Sequence, residues 1–192
     1  DPYSASKAAS EIAISSYRKS FFKEIGASVA SARAGNVIGG GDWSQDRLIP
    51  DLIRAWSSKS TLQVRNPTAT RPWQHVLEPL AGYLCLAEHL WANPSFSDSF
   101  NFGPYSHQSA SVQEILDIAN NVFHVNKVKP MISGCPMQES QSLALDTSKA
   151  QHLLGFYPRW SMNKTISKTL EWYREFYNGS DPTMLCNNDI DS

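Results

Sequence analysis

The chain has 192 residues, enough for one domain or two small lobes. Its 17 basic and 18 acidic residues leave a net charge of −1, which offers nucleic acid or an anionic membrane no electrostatic footprint. No apolar run reaches the roughly 18 residues that a spanning helix needs.

The chain opens on a helix expected over residues 3–24, with Ala8, Ile12 and Phe21-Phe22 on an apolar stripe and Gly26 at its end. Small residues at Ala5, Ala8, Ala9 and Ala13 would let a second helix approach closely. Residues 27–34 read as a buried strand, and residues 35–46 as a loop rich in Gly, Asn and Asp. A short helix follows over 48–56, with Pro50 in its first turn. Residues 62–65 alternate like a half-buried strand, Asn66-Pro67 turns the chain, and 71–76 is extended. A helix over 78–91 stops at Asn93-Pro94, and a short strand occupies 99–103. Ser111 caps a helix through Phe123, with Glu114 at the capping-box position. A strand is expected over 128–132, and then a helix capped by Asp146 or Thr147 that ends at Leu154 and Gly155. The last helix spans 162–177, and the polar tail over 179–192 is expected to be loose. This order of elements predicts an α/β protein whose first elements belong to a parallel sheet, with residues 36–76 as a smaller substrate-covering lobe.

Tyr3 and Lys7 are one helical turn apart on one face. A phenol with a pKa of about 10 is a poor base near neutrality, and a neighbouring ammonium favours its phenolate. Such a pair can take a proton from a substrate hydroxyl while a nicotinamide takes the hydride, although the same spacing also occurs on solvated helix faces. No Gly-x-Gly-x-x-Gly follows a strand, and Gly39-Gly40-Gly41 has neither that spacing nor a P-loop ending. With no initiator Met, the sequence is expected to be the C-terminal part of a longer protein. Cys85, Cys135 and Cys186 are odd in number and far apart, which fits reduced thiols and a cytoplasmic setting. His89, His107, His124 and His152 show no ligand spacing, so no metal site is expected. His75 could serve as an acid or base near neutral pH, but reads better as a buried structural residue. Trp43 and Trp73 could stack on a base or simply pack, and Glu139 is a loose candidate for a nucleotide site.

Four further blocks stand downstream: Arg33-Ala34-Gly35-Asn36-Val37-Ile38-Gly39-Gly40-Gly41-Asp42-Trp43, Arg47-Leu48-Ile49-Pro50-Asp51, the run from Arg65 to Pro79 containing Arg71-Pro72-Trp73-Gln74-His75-Val76-Leu77-Glu78-Pro79, and Asn101-Phe102-Gly103-Pro104. In this order they resemble the extended short-chain dehydrogenase/reductases that act on nucleotide sugars. They are most similar to the CDP-glucose 4,6-dehydratases within that superfamily. The resemblance covers residues 1–177 or so.

It implies the C-terminal part of a Rossmann-type parallel-sheet domain plus a small mixed α/β substrate-binding lobe. Residues 1–35 would be the remnant of the NAD-binding domain. Residues 36–178 would be mainly the sugar-nucleotide lobe, with about 78–104 returning to the sheet. It also implies that bound NAD accepts hydride from C4 of CDP-glucose while Tyr3 removes the O4 proton. Water then leaves across C5–C6, and hydride returns to C6 to give a CDP-4-keto-6-deoxy sugar. Lys7 would hold the nicotinamide ribose, and Val37 would offer its backbone amide to the carboxamide. Asn36 and Arg71 would bind the diphosphate-sugar, and Arg47 and Leu48 would lie against the nucleotide. Gln63, Val64 and Arg65 would flank the base, and Asn101 would contact a phosphate. The Ser or Thr and the acid/base group of the elimination would lie upstream. The family's homodimer contact would run through the Tyr/Lys helix. Another nucleotide-sugar dehydratase, an epimerase, or a non-catalytic dimerising module remain alternatives.

Overall fold

The computed structural model describes residues 1–105, 108–123, 129–132 and 142–192. Cys135, Glu139, His107 and His124, named above, lie outside the described residues. The chain is α/β, as its alternating pattern requires. Helix α1 (Pro2–Tyr17) starts where the Asp1 side chain accepts the Ser4 amide, continues into one wider turn over Arg18–Phe22, and leads to strand β1 (Ser31–Ala34). Strand β2 (Asn36–Ile38) follows after the single residue Gly35. Next come α2 (Leu48–Ser57), β3 (Thr61–Val64), β4 (Thr70–Arg71), β5 (Trp73–His75) and α3 (Leu77–Ala92). The remainder comprises β6 (Ser99–Phe102), β7 (Ala110–Ser111), α4 (Val112–Phe123), β8 (Lys129–Ile132), α5 (Ser148–Leu154), α6 (Met162–Tyr177) and α7 (Pro182–Ile190).

Three strand pairs are parallel: β1 with β6, β2 with β5, and β3 with β8; β4 pairs antiparallel with β7. The side chains collect into two cores. One, around β6, α3 and α5, holds Leu86, Phe100, Phe102, Ala150 and Leu154. The larger one gathers Leu52 and Ile53 of α2, Leu62 and Val64 of β3, Ile115 of α4, and Ile166, Leu170 and Tyr173 of α6.

Local signals explain most of these boundaries. The Ser111 and Glu114 side chains each accept the other's backbone amide, which satisfies two donors at the start of α4. Ser161 caps α6 by accepting the Lys164 amide. Two expectations need correction. The stretch after Gly35 is not loop from its first residue: Asn36–Ile38 pairs with Trp73–His75, a contact between segments too far apart for local pattern to reveal. The tail is not loose either. Asp181 caps α7 by accepting the Met184 amide, Pro182 fills the first helical position, and Leu185 is buried against the larger core.

Candidate active site

Helix α1 buries no residue, so its placement rests on polar contacts. At its far end Arg18 lies 3.6 Å from Asp98, which immediately precedes β6. Further back, Glu11 grips Arg33 of β1 with both oxygens: Arg33 Nε donates to Oε1 at 2.7 Å and Nη2 to Oε2 at 2.9 Å. Ser31 and Ser99 hydroxyls donate to the same carboxylate at 3.0 and 3.2 Å. This set of donors, Arg33 foremost, holds the Glu11 carboxyl down at about 2. The helix therefore runs against the direction of β1 and β6, its C-terminal end beside their starts. Lys7 and Tyr3 lie one and two turns before Glu11, about 6 and 12 Å further along. Arg33 lies about 7 Å before Gly35 along the strand. The pair is thus carried to the carboxyl ends of two parallel strands, where open α/β sheets bind their ligands.

There the Tyr3 ring is 70% exposed, and Lys7 Nζ sits 5.6 Å from its centroid. Among the described residues Lys7 forms no ion pair with a carboxylate. Asn36, half-buried, and Val37, exposed, begin β2 directly beyond Gly35. A Cβ on that glycine would lie 3.0 Å from the Pro72 backbone oxygen and ring, tighter than side chains ordinarily pack. Gly103, at the matching end of β6, and Gly35 both approach Leu145. The Gln74 amide, opposite Val37 in the β2–β5 register, donates to the Phe102 carbonyl at 2.9 Å and ties this pair to β6.

The run around Trp73 faces inward. Trp73 Nε1 donates to the Ala110 carbonyl at 3.1 Å. The buried Glu78 carboxylate accepts the Arg159 and Trp160 amides at 2.8–3.1 Å, anchoring the approach to α6. His75 is buried under Trp160, with ring centroids 4.6 Å apart; burial, with the nearby Lys168 charge, lowers its pKa to about 4. A neutral imidazole locked in this position is structural. Gly39-Gly40-Gly41 likewise serves packing: a Cβ on Gly40 would fall 2.1 Å from Trp172 Cδ2. Tyr173 donates to the Asp42 carbonyl at 2.7 Å, and burial pushes its phenol well up. Trp43 packs on Tyr173 at 5.3 Å and Phe176 at 5.5 Å rather than standing free.

The remaining candidates are spread over the lobe. Arg71 is buried in β4, and its Nη1 donates to the Thr70 carbonyl at 2.8 Å. Arg47 is exposed at the start of α2, while Leu48 packs partly against the core. Strand β3 alternates, so Gln63 faces out. The Val64 side chain, only 3% exposed, belongs to the core and is not available to flank a base. Arg65 is exposed, 3.9 Å from Asp46. Both ends of the Asn101 amide are engaged: Oδ1 accepts from Arg33 at 3.2 Å, and Nδ2 donates to the Asp146 carbonyl at 2.9 Å. Asn101 is therefore a bracket between β1 and the start of α5 rather than a free phosphate ligand. Sequence reasoning missed Glu11, Arg33, Ser31 and Ser99. The only local clue was Glu11 standing one turn after Lys7.

Residues 1–103, more than half of the chain, match the model of the NAD dependent epimerase/dehydratase family. The chain belongs to that family. A CDP-glucose 4,6-dehydratase of Salmonella typhimurium is 40% identical to this epimerase/dehydratase member over 97% of the chain and 53% of its own length. A UDP-glucose 4-epimerase of Mycoplasma pneumoniae is 30% identical over 93% of the chain and 55% of its own length. The chain thus spans about half the length of the curated relatives it matches. Among solved structures, a UDP-glucuronic acid 4-epimerase from Bacillus cereus in complex with UDP-glucuronic acid and NAD superposes with a TM-score of 0.79 at 19% identity, over 92% of this chain and 54% of that one. A dTDP-glucose 4,6-dehydratase from Streptomyces venezuelae with NAD bound gives 0.75 at 22% identity, over 94% and 53%. These likenesses show the fold. Among the described residues no helix is long and apolar enough to cross a membrane.

Proposed function

We propose that this chain, together with a dinucleotide-binding half, dehydrates CDP-glucose to CDP-4-keto-6-deoxy-glucose with NAD as bound cofactor. The observation that carries this reading is the Tyr3–Lys7 pair held at the carboxyl-end crevice by Glu11. The choice of CDP-glucose is supported by the 40% identity to the Salmonella enzyme. The residues present fit NAD. Lys7 is exposed and pairs with no carboxylate among the described residues, so it can reach ribose hydroxyls, and Val37 lies exposed just past the strand ends. When bound, NAD supplies the hydride acceptor for C4 and the hydride donor for C6.

The chain's own residues handle protons and position. Tyr3 Oη takes the proton from the sugar O4, and the Lys7 ammonium favours the phenolate that does so. The ketone at C4 acidifies the neighbouring C–H, and water leaves across C5–C6. Arg71 offers a planar fork suited to diphosphate oxygens, and Asn36 a hydrogen-bonding amide. Arg47, Leu48, Gln63 and Arg65 would line the nucleoside side. Helix α1, unburied along its length and carrying Ala5, Ala8, Ala9 and Ala13, would pair subunits as a homodimer, in a cytoplasmic setting.

The test is to supply CDP-glucose and NAD to the intact protein and look for a 4-keto-6-deoxy sugar nucleotide. Formation of that product supports the reading; turnover of a different nucleotide sugar alone would overturn it. A second reading, 4-epimerisation of a nucleotide sugar, is supported by the Mycoplasma relative at 30% identity. It predicts a 4-epimer with no loss of water and tighter binding of UDP than of CDP.

A further inference from the structure

Lys7 and Glu11 are four residues apart on one helix, close enough to form an ion pair by themselves. They do not: Arg33 engages both Glu11 oxygens, Nε on Oε1 and Nη2 on Oε2, and the Ser31 and Ser99 hydroxyls gather on Oε2 as well. Lys7 instead lies over the Tyr3 ring. We propose that Arg33 is a positioning residue whose task is to withhold Glu11 from Lys7, so that the lysine charge is spent on the Tyr3 phenol. This rests on the acid–base reading of Tyr3 given above.

The geometry favours that division. The guanidinium fork matches a carboxylate with two parallel hydrogen bonds, an arrangement that a single ammonium cannot equal. Asn101 Oδ1 accepts Arg33 Nη1 and steadies the fork from β6. The other charges facing the cluster are Asp98 and its two partners, Arg18 and Lys149. Asp98 is thereby occupied as well, and its carboxyl is held below the ordinary range, by the Lys149 hydrogen bond first. Glu11 and Asp98 are each claimed by a cation other than Lys7, and the Asp1 carboxylate at the start of the helix is taken up by the Ser4 amide and hydroxyl. Glu11 set free by loss of Arg33 would be the nearest anion to Lys7 on its own helix.

Arg33→Met and Glu11→Gln break the same ion pair, so a merely structural contact predicts the same consequence for both. The withholding role predicts opposite ones. In the intact protein turning over CDP-glucose, Arg33→Met moves the rising limb of the kcat against pH profile upward by about one unit, because Lys7 turns to Glu11 and the phenol loses its cation. Glu11→Gln leaves the limb at its wild-type position, whatever its effect on stability. The double variant Arg33→Met/Glu11→Gln brings the limb back. Should Arg33→Met not fold, Arg33→Lys, which keeps the charge but loses the fork, gives a smaller upward shift. The inference is overturned if the limb stays in place in the arginine variants, or if the double variant shifts as far as Arg33→Met. Tyr3→Phe separates the two levels of the account. Full turnover in that variant removes the acid–base reading itself. An inactive Tyr3→Phe beside an unmoved limb in Arg33→Met removes only the role of Arg33.

Discussion

Two regions of this molecule are held together in different ways. Around β2, β5 and α6 the chain is fastened by buried aromatics, a glycine that admits Trp172, and a carboxylate closing on two backbone amides. Helix α1 itself buries no residue, and a cluster of three side chains on Glu11, from Arg33, Ser31 and Ser99, fixes it to the sheet. The proposed Tyr3–Lys7 pair sits on the thinly held element, while the most distinctive sequence run builds the thickly held one. A distinctive sequence run can therefore serve packing: Trp73-Gln74-His75 fixes how β5 joins β2 and β6.

The contrast can be broken where it is strongest. Gly40→Ala puts a Cβ into the Trp172 indole and should cost about 3 kcal/mol or more, read as a lowered melting temperature of the intact protein. An unchanged melting temperature would show that the indole yields freely. Acid should loosen the same region next. An unfolded His75 takes up a proton below its ordinary 6.5, whereas the folded one resists until about 4. Stability is thus fully present above 6.5 and falls as pH drops through that window, by up to about 3 kcal/mol. The half-buried Asp189 carboxyl, 3.8 Å from His75 Nε2 and raised by burial, works the other way and blunts the fall. Melting temperatures of His75→Gln between pH 6.5 and 4 should be flatter than wild type; parallel curves would contradict the buried-neutral assignment. Glu78→Gln keeps one acceptor oxygen but loses the charge, and about 2 kcal/mol with it. A loss no larger than that of an exposed side chain would mean the clasp is dispensable. At the small end, Arg65→Ala removes an exposed ion pair and should change stability by less than about 0.5 kcal/mol. If Arg65 flanks the base, the same variant raises KM for the nucleotide sugar while leaving the melting temperature alone.

Much of this architecture was legible in the sequence because its signals are local. The capping box at Ser111 and Glu114, the proline in the first turn of α2, and the alternation of β3 each declare an element within a few residues. The Tyr3–Lys7 spacing likewise fixes two side chains on one helix face. The misses were non-local or masked by composition. Pairing of β2 with β5 joins segments 37 residues apart, as Asn36 opposite Trp73 shows. Helix α7 is polar enough to pass for a tail, and only the Asp181-Pro182 start and one inward Leu185 betray it. Glu11 and Arg33, 22 residues apart, look like ordinary surface charges until the fold brings them within 2.7 Å. Val64 was misplaced because adjacency to Gln63 and Arg65 in sequence does not survive the alternation of a strand.

Tyr3 as the proton acceptor is put to the test by a single substitution. Turnover of CDP-glucose by the intact Tyr3→Phe protein, measured with NAD occupancy in the same sample, should fall by about 10²–10⁴-fold while NAD stays bound. A variant that turns over at the wild-type rate would contradict the assignment.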